Sequence, residues 1–126
     1  MIEQIRTEAA PAAIGPYSQA IRAGDFVYFS GQIPLTASGE VVVGSIEEQT
    51  RQVMANMGAV LEAARLGFQN VVKTTIYLTD LNDFAIVNDI YGSCFSDRTP
   101  ARACVEVAAL PKGVAIEIEW VAYTGI

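Results

Sequence analysis

Pro100-Ala101-Arg102-Ala103-Cys104-Val105-Glu106-Val107 and Val114-Ala115-Ile116-Glu117-Ile118-Glu119-Trp120 are the two stretches from which the fold is read. Both alternate with the period of two that marks a half-buried strand. Between them Leu110-Pro111-Lys112-Gly113 is a turn signal, so the economical expectation is an antiparallel hairpin with a loop of about six residues. In the register that gathers the apolar residues, Ala103, Val105 and Val107 share a face with Val114, Ile116, Ile118 and Trp120. Arg102, Cys104, Glu106, Glu117 and Glu119 fall on the other. A guanidinium and a carboxylate on adjacent strands, with a thiol between them, make a small anion-binding site with a base beside it.

Working outward, residues 71–79 form a further strand, with Val72, Thr74, Ile76 and Leu78 on one face and Lys73, Thr75 and Tyr77 on the other. Residues 17–23 and 26–30 read as a hairpin across Gly24-Asp25, and residues 2–6 as a short edge strand. The stretch 9–16, rich in Ala and Pro, is a loop that delivers Tyr17. Ser45-Ile46-Glu47-Glu48 is a capping box. It opens a helix that carries Ile46, Val53, Met57, Val60, Leu61 and Ala64 on one stripe and stops before Gly67. A second helix spans about residues 82–95, with Phe84, Val87, Tyr91 and Cys94 inward. The order is β-β-β-α-β-α-β-β, an α+β fold in which two helices cover one face of a mixed six-stranded sheet. The other face should carry Tyr28, Ser30, Lys73, Thr75, Tyr77, Arg102, Cys104 and Glu117. It is too aromatic for free solvent and too polar for a dry core, which suits a wet subunit interface.

Length and composition bound the rest. At 126 residues the chain is a single domain, 1–126, with 52% hydrophobic and 17% charged residues. No apolar run reaches the roughly 18 residues of a membrane span, and the N-terminus lacks signal-peptide and transit character. The excess of apolar residues is expected in a subunit interface rather than in lipid. Net charge is −6 and no basic cluster occurs, so nucleic acid is not an expected partner. Two cysteines, Cys94 and Cys104, with no sign of an oxidising compartment, are expected reduced in a cytoplasm. The absence of histidine removes Ser–His and Cys–His relays and histidine metal sites together. There is no CxxC, GxxxxGK[ST] or GxGxxG motif either. Chemistry is left to Arg, Glu, Tyr, Ser, Cys, backbone groups and water.

Six segments, in order along nearly the whole chain, resemble one family. They are Ala12-Ala13-Ile14-Gly15-Pro16-Tyr17-Ser18-Gln19, Phe29-Ser30-Gly31-Gln32-Ile33-Pro34, Val72-Lys73-Thr74-Thr75-Ile76-Tyr77-Leu78, Asp80-Leu81-Asn82-Asp83-Phe84, the Pro100–Val107 stretch and Ile116-Glu117-Ile118-Glu119. All are similar to the Rid (YjgF-like, reactive intermediate deaminase) family. The resemblance implies a chorismate-mutase-like fold, a homotrimer with clefts between subunits, and cofactor-free hydrolysis of 2-aminoacrylate, 2-iminopropanoate and 2-iminobutanoate to 2-keto acids and ammonia. It also implies roles: Arg102 for the substrate carboxylate, Glu117 for the attacking water, and Cys104, Tyr17, Ser30, Gly31 and Asn88 lining the cleft. The loop Ser96-Asp97-Arg98-Thr99 is shorter than in many members, which alters the expected pocket rim.

Each of these residues has a plainer reading. Arg102 and Glu117 could be a cross-strand ion pair worth a few tenths to about 1 kcal/mol. Cys104 has no histidine to deprotonate it and is expected to line the pocket rather than attack. Cys94 is core filler. Tyr17 could simply pack, Ser30 could serve the turn, and Asn88 could brace a loop. Glu119 is the alternative base. The competing functional reading is a non-catalytic trimer of the same fold that binds a small carboxylate or regulates a partner.

Overall fold

The structure, a computed structural model, describes residues 1–125. Six strands form one mixed sheet: β1 (Ile2–Ile5), β2 (Ala20–Ala23), β3 (Phe26–Gln32), β4 (Val71–Leu78), β5 (Ala101–Glu106) and β6 (Ile116–Tyr123). Their order across the sheet is β1-β2-β3-β6-β4-β5. Helices α1 (Ile46–Ala63) and α2 (Phe84–Gly92) connect β3 to β4 and β4 to β5. The expected element order therefore holds, as does the β2–β3 hairpin, which turns through Gly24 at φ 63°.

The sheet's apolar face is covered by the helices. Val27 and Phe29 of β3, Thr74, Ile76 and Leu78 of β4, and Ile116, Ile118, Trp120 and Ala122 of β6 are all buried. Helix α1 adds Val53, Met57, Val60 and Leu61, each fully buried, and each contributes about 1.5–3 kcal/mol of burial. Its N-terminus is the expected capping box: Glu48 N–H donates to Ser45 Oγ at 3.2 Å and Ser45 N–H to Glu48 Oε1 at 3.2 Å. It stops before Gly67, as expected, the chain leaving the helix through Arg65 at φ 61°.

The hairpin expected between β5 and β6 does not form. β5 runs parallel to β4, with Thr74 opposite Arg102 and Ile76 opposite Cys104. β6 lies on β4's other side, antiparallel, with Ile76 opposite Ile118 and Tyr77 opposite Glu117. The intervening loop passes around the end of β4, where Val107 N–H donates to Leu78 O at 2.8 Å and Thr79 N–H to Ala115 O at 3.2 Å. Two causes combine. The α2 crossover returns the chain parallel to β4, as a β-α-β connection does. The Ile/Ile/Trp/Ala stripe of β6 is apolar enough for the sheet centre, whereas β5 is exposed along most of its length and takes the edge.

The corrected pairing also reverses the face assigned to β5. Arg102 and Cys104 share the helix-covered face with Thr74 and Ile76, while Ala103 and Val105 lie on the open face with Glu117 and Glu119. Arg102 and Glu117 are thus on opposite faces, and they are not a cross-strand pair.

Candidate active site

Glu117 sits on the open face of β6, half-buried, where β3 departs from regular pairing. The β3–β6 register shifts between Phe29 and Gln32, so Ser30 and Gly31 form an irregularity beside it. Such bulges re-aim side chains. Gly31 is the reason the carboxylate fits: a β-carbon there would collide with Glu117 Oε2 and lie 2.9 Å from its Cδ. Ser30 braces the same segment, its hydroxyl donating to Ser18 O at 2.6 Å and its N–H to Gln19 O at 3.0 Å. Buried Gln19 in turn donates to Pro11 O at 2.8 Å and accepts from Thr7 N–H at 2.8 Å, which pins the loop carrying Tyr17.

These pieces enclose a cleft of about 440 Å³ lined by Tyr17, Ser30, Gly31, Ile33, Lys112 and Glu117, among others. The Tyr17 hydroxyl accepts from Ile14 N–H at 3.3 Å and the side chain is half exposed. Burial first, and then the neighbouring Glu119 carboxylate, hold Glu117 above the usual glutamate range. A carboxyl raised in this way and set in a cleft is a candidate for exchanging protons with water or substrate. Glu119, the alternative base, is exposed and outside this lining.

Arg102 belongs to a second cluster, at the rim between edge strand β5 and helix α2. Its Nη1 donates to Asn88 Oδ1 at 2.6 Å. The guanidinium lies 5.2 Å from the Phe84 ring centroid and 5.3 Å from that of Tyr91. Among the described residues no carboxylate reaches it; the ion pair that does form is Arg22 with Glu3 at 3.4 Å. An arginine steadied by an amide and two rings keeps its charge and much of its N–H fork for an external anion. Cys104 is next on the same face, partly buried against the core. Burial raises its thiol, with Arg102 opposing weakly, so the nucleophilic thiolate is disfavoured.

The sequence-selected residues thus divide. Tyr17, Ser30, Gly31 and Glu117 meet in the open-face cleft; Arg102, Asn88 and Cys104 meet at the α2 rim. Three neighbours were not picked out as functional. Phe84 and Tyr91 read as inward core residues, yet both flank the guanidinium. Their spacing with Asn88, at 84, 88 and 91, was the available signal, because it marks one helix stripe. Lys112, part of a turn in the sequence reading, borders the cleft with a left-handed backbone, φ 58°.

The described chain has the architecture of known proteins. The family model described as Endoribonuclease L-PSP matches residues 7–124. A crystal structure of a Rid family protein of unknown function from Yersinia pestis superimposes with a TM-score of 0.95 at 49% identity, covering 98% of this chain and 99% of that one. The chain belongs to the L-PSP (YjgF/Rid) family. Among its Rid relatives, a RutC family protein of Pyrococcus horikoshii is 54% identical over 98% of both chains. A human protein named 2-iminobutanoate/2-iminopropanoate deaminase is 52% identical, over 96% of this chain and 89% of its own length. No helix among the described residues is long and apolar enough to cross a membrane.

Proposed function

We propose that this Rid protein is a hydrolytic deaminase of reactive 2-imino acids and their enamine tautomers, working without a cofactor. The observation that carries the reading is Arg102: a guanidinium oriented by neutral groups, with no carboxylate among the described residues beside it. A planar carboxylate is the natural ligand for that fork, and lysine could not replace it. The deaminase name of the human relative supports the same substrate class, 2-iminobutanoate and 2-iminopropanoate.

Arg102 holds the carboxylate and thereby places the adjacent C=N carbon. With the imine nitrogen protonated, a water oxygen adds to that carbon as Glu117 takes one proton from the water, giving a neutral carbinolamine. The C–N bond then breaks as the proton passes to nitrogen. Ammonia leaves and takes up the proton that the hydroxyl gives up, so ammonium and a 2-keto acid remain. The imine carbon is already electrophilic, so no covalent enzyme intermediate is needed.

The opposite-face placement of Arg102 and Glu117 supports a site shared between copies of the chain. The open face carries Phe26, Tyr28 and Val105 at 40%, 52% and 42% exposure, a surface suited to burial against a neighbour. In the proposed homotrimer one copy supplies the Glu117 cleft and the next supplies Arg102. Three as the number of copies follows from the family resemblance. Free Cys94 and Cys104 fit a reducing cytoplasm. Net charge −6 and the absence of histidine argue against RNA cleavage, despite the name of the family model.

The test is keto-acid formation from 2-iminobutanoate generated in place by a threonine dehydratase. Faster release with protein, lost in Arg102→Ala, is the expected result. Carboxylate binding without acceleration would favour the non-catalytic trimer instead.

A further inference from the structure

We infer that Tyr91, locked by Thr74, is a positioning residue that aims the Arg102 guanidinium at the substrate carboxylate. The inference rests on the reading of Arg102 given above. Thr74 faces Arg102 directly across the parallel β4–β5 ladder, and each reaches a residue of α2, Thr74 the hydroxyl of Tyr91 and Arg102 the amide of Asn88. From α2, the crossover between those strands, Phe84, Asn88 and Tyr91 project on one stripe toward the same point. Tyr91 is 4% exposed and Thr74 fully buried, and their hydroxyl oxygens are 2.7 Å apart. The Tyr91 ring is also held by Phe95, with centroids 4.9 Å apart at 51°.

The hydroxyl pair has no evident packing purpose. A phenylalanine and a valine would fill nearly the same space, and replacing both partners of a buried hydrogen bond by apolar groups is close to neutral for stability. What the pair adds is direction. It fixes the depth and rotation of an aromatic face against which the guanidinium rests, while Asn88 fixes the other side. A long arginine side chain at an edge strand otherwise samples many rotamers, each of which is lost on binding. Orienting it with neutral groups lowers that cost without a counter-ion that would compete with the substrate.

The experiment measures the dissociation constant of 2-oxobutanoate, which carries the carboxylate, alongside KM and kcat for the imine. Tyr91→Phe keeps the ring, and Thr74→Val removes the hydroxyl from the other side. Each is expected to weaken 2-oxobutanoate binding and raise KM by about 3–10-fold, the worth of one hydrogen bond. kcat should fall less, and Thr74→Ser should restore binding. In an Arg102→Ala background Tyr91→Phe should add nothing, because the effect passes through the guanidinium. Equal losses with and without Arg102 would overturn the inference in favour of a structural role. So would unchanged binding in Tyr91→Phe and Thr74→Val while Arg102→Ala abolishes it, and that result leaves the carboxylate clamp standing. If Arg102→Ala itself binds normally, the functional reading fails first and this inference with it.

Discussion

If Glu117 is the base proposed above, its function and the stability of the fold oppose each other. Its carboxyl titrates above the ordinary glutamate range because burial and Glu119 disfavour the charge. The folded state therefore binds more protons than the unfolded chain between the two pKa values, and stability falls as pH rises through that window. Ionising Glu117 therefore costs the fold stability, and its proposed role as the base that activates water would account for its being kept. Glu117→Gln should lower kcat by about 10²–10⁴-fold and raise Tm at pH 7 by about 1–3 °C. The gain in Tm should vanish below the ordinary glutamate pKa, where both states are protonated, as calorimetry across pH will read. In the unaltered enzyme kcat/KM should decline toward acid pH, with its midpoint above the ordinary glutamate value. Cys104 is the opposite case, since its raised thiol stays protonated. Cys104→Ser should retain activity within about tenfold, and mass spectrometry of the enzyme during turnover should show no adduct. A covalent adduct, or a folded but inactive Cys104→Ser, would contradict the water-addition mechanism.

At the scale of elements, the sequence showed alternation clearly and partners poorly. The Ile116–Trp120 stripe, the α1 capping box and the Gly24 turn are local signals, and each lies where it was expected. The β5–β6 hairpin failed because a period of two states which residues share a face, not which strand lies alongside. Leu110–Gly113 reverses the chain, but around the end of β4 instead of between neighbours. The misassigned neighbour also turned β5 over, which is why Arg102 and Glu117 seemed to face each other. The family motifs singled out the candidate residues; which of them lie together, and their division into two clusters, depended on long-range pairing. The Ser30–Gly31 irregularity is an element with its own test. The atoms that a new β-carbon would meet belong to the flexible end of Glu117, so Gly31→Ala should fold yet displace the carboxylate. We expect kcat/KM to drop by about 10–100-fold with circular dichroism unchanged and carboxylate binding retained. Full activity in Gly31→Ala would remove Glu117 from the position assigned to it.

The whole molecule is a sheet with one face sealed by helices and one left open. Tyr28, Tyr77, Val121 and Tyr123 lie on that open face beside Glu117 and Glu119, and a neighbouring copy laid over them would bury the rings. Burial of the cleft in the same step would lower its dielectric and strengthen the proposed contact between Arg102 and a carboxylate. Light scattering at micromolar concentration should accordingly give an oligomeric mass, expected to be that of a trimer, and a fully active monomer would be incompatible with the proposal. Because Arg102 and Glu117 occupy opposite faces of one chain, a shared site has a consequence that a single-chain site lacks. Arg102→Ala and Glu117→Gln subunits, each inactive alone, should complement one another when co-refolded in equal amounts. Random assembly then leaves about one site in four with both functional residues, so roughly a quarter of wild-type activity should return. No recovery in oligomers verified to contain both subunit types would contradict the shared site, and with it the proposed deamination geometry.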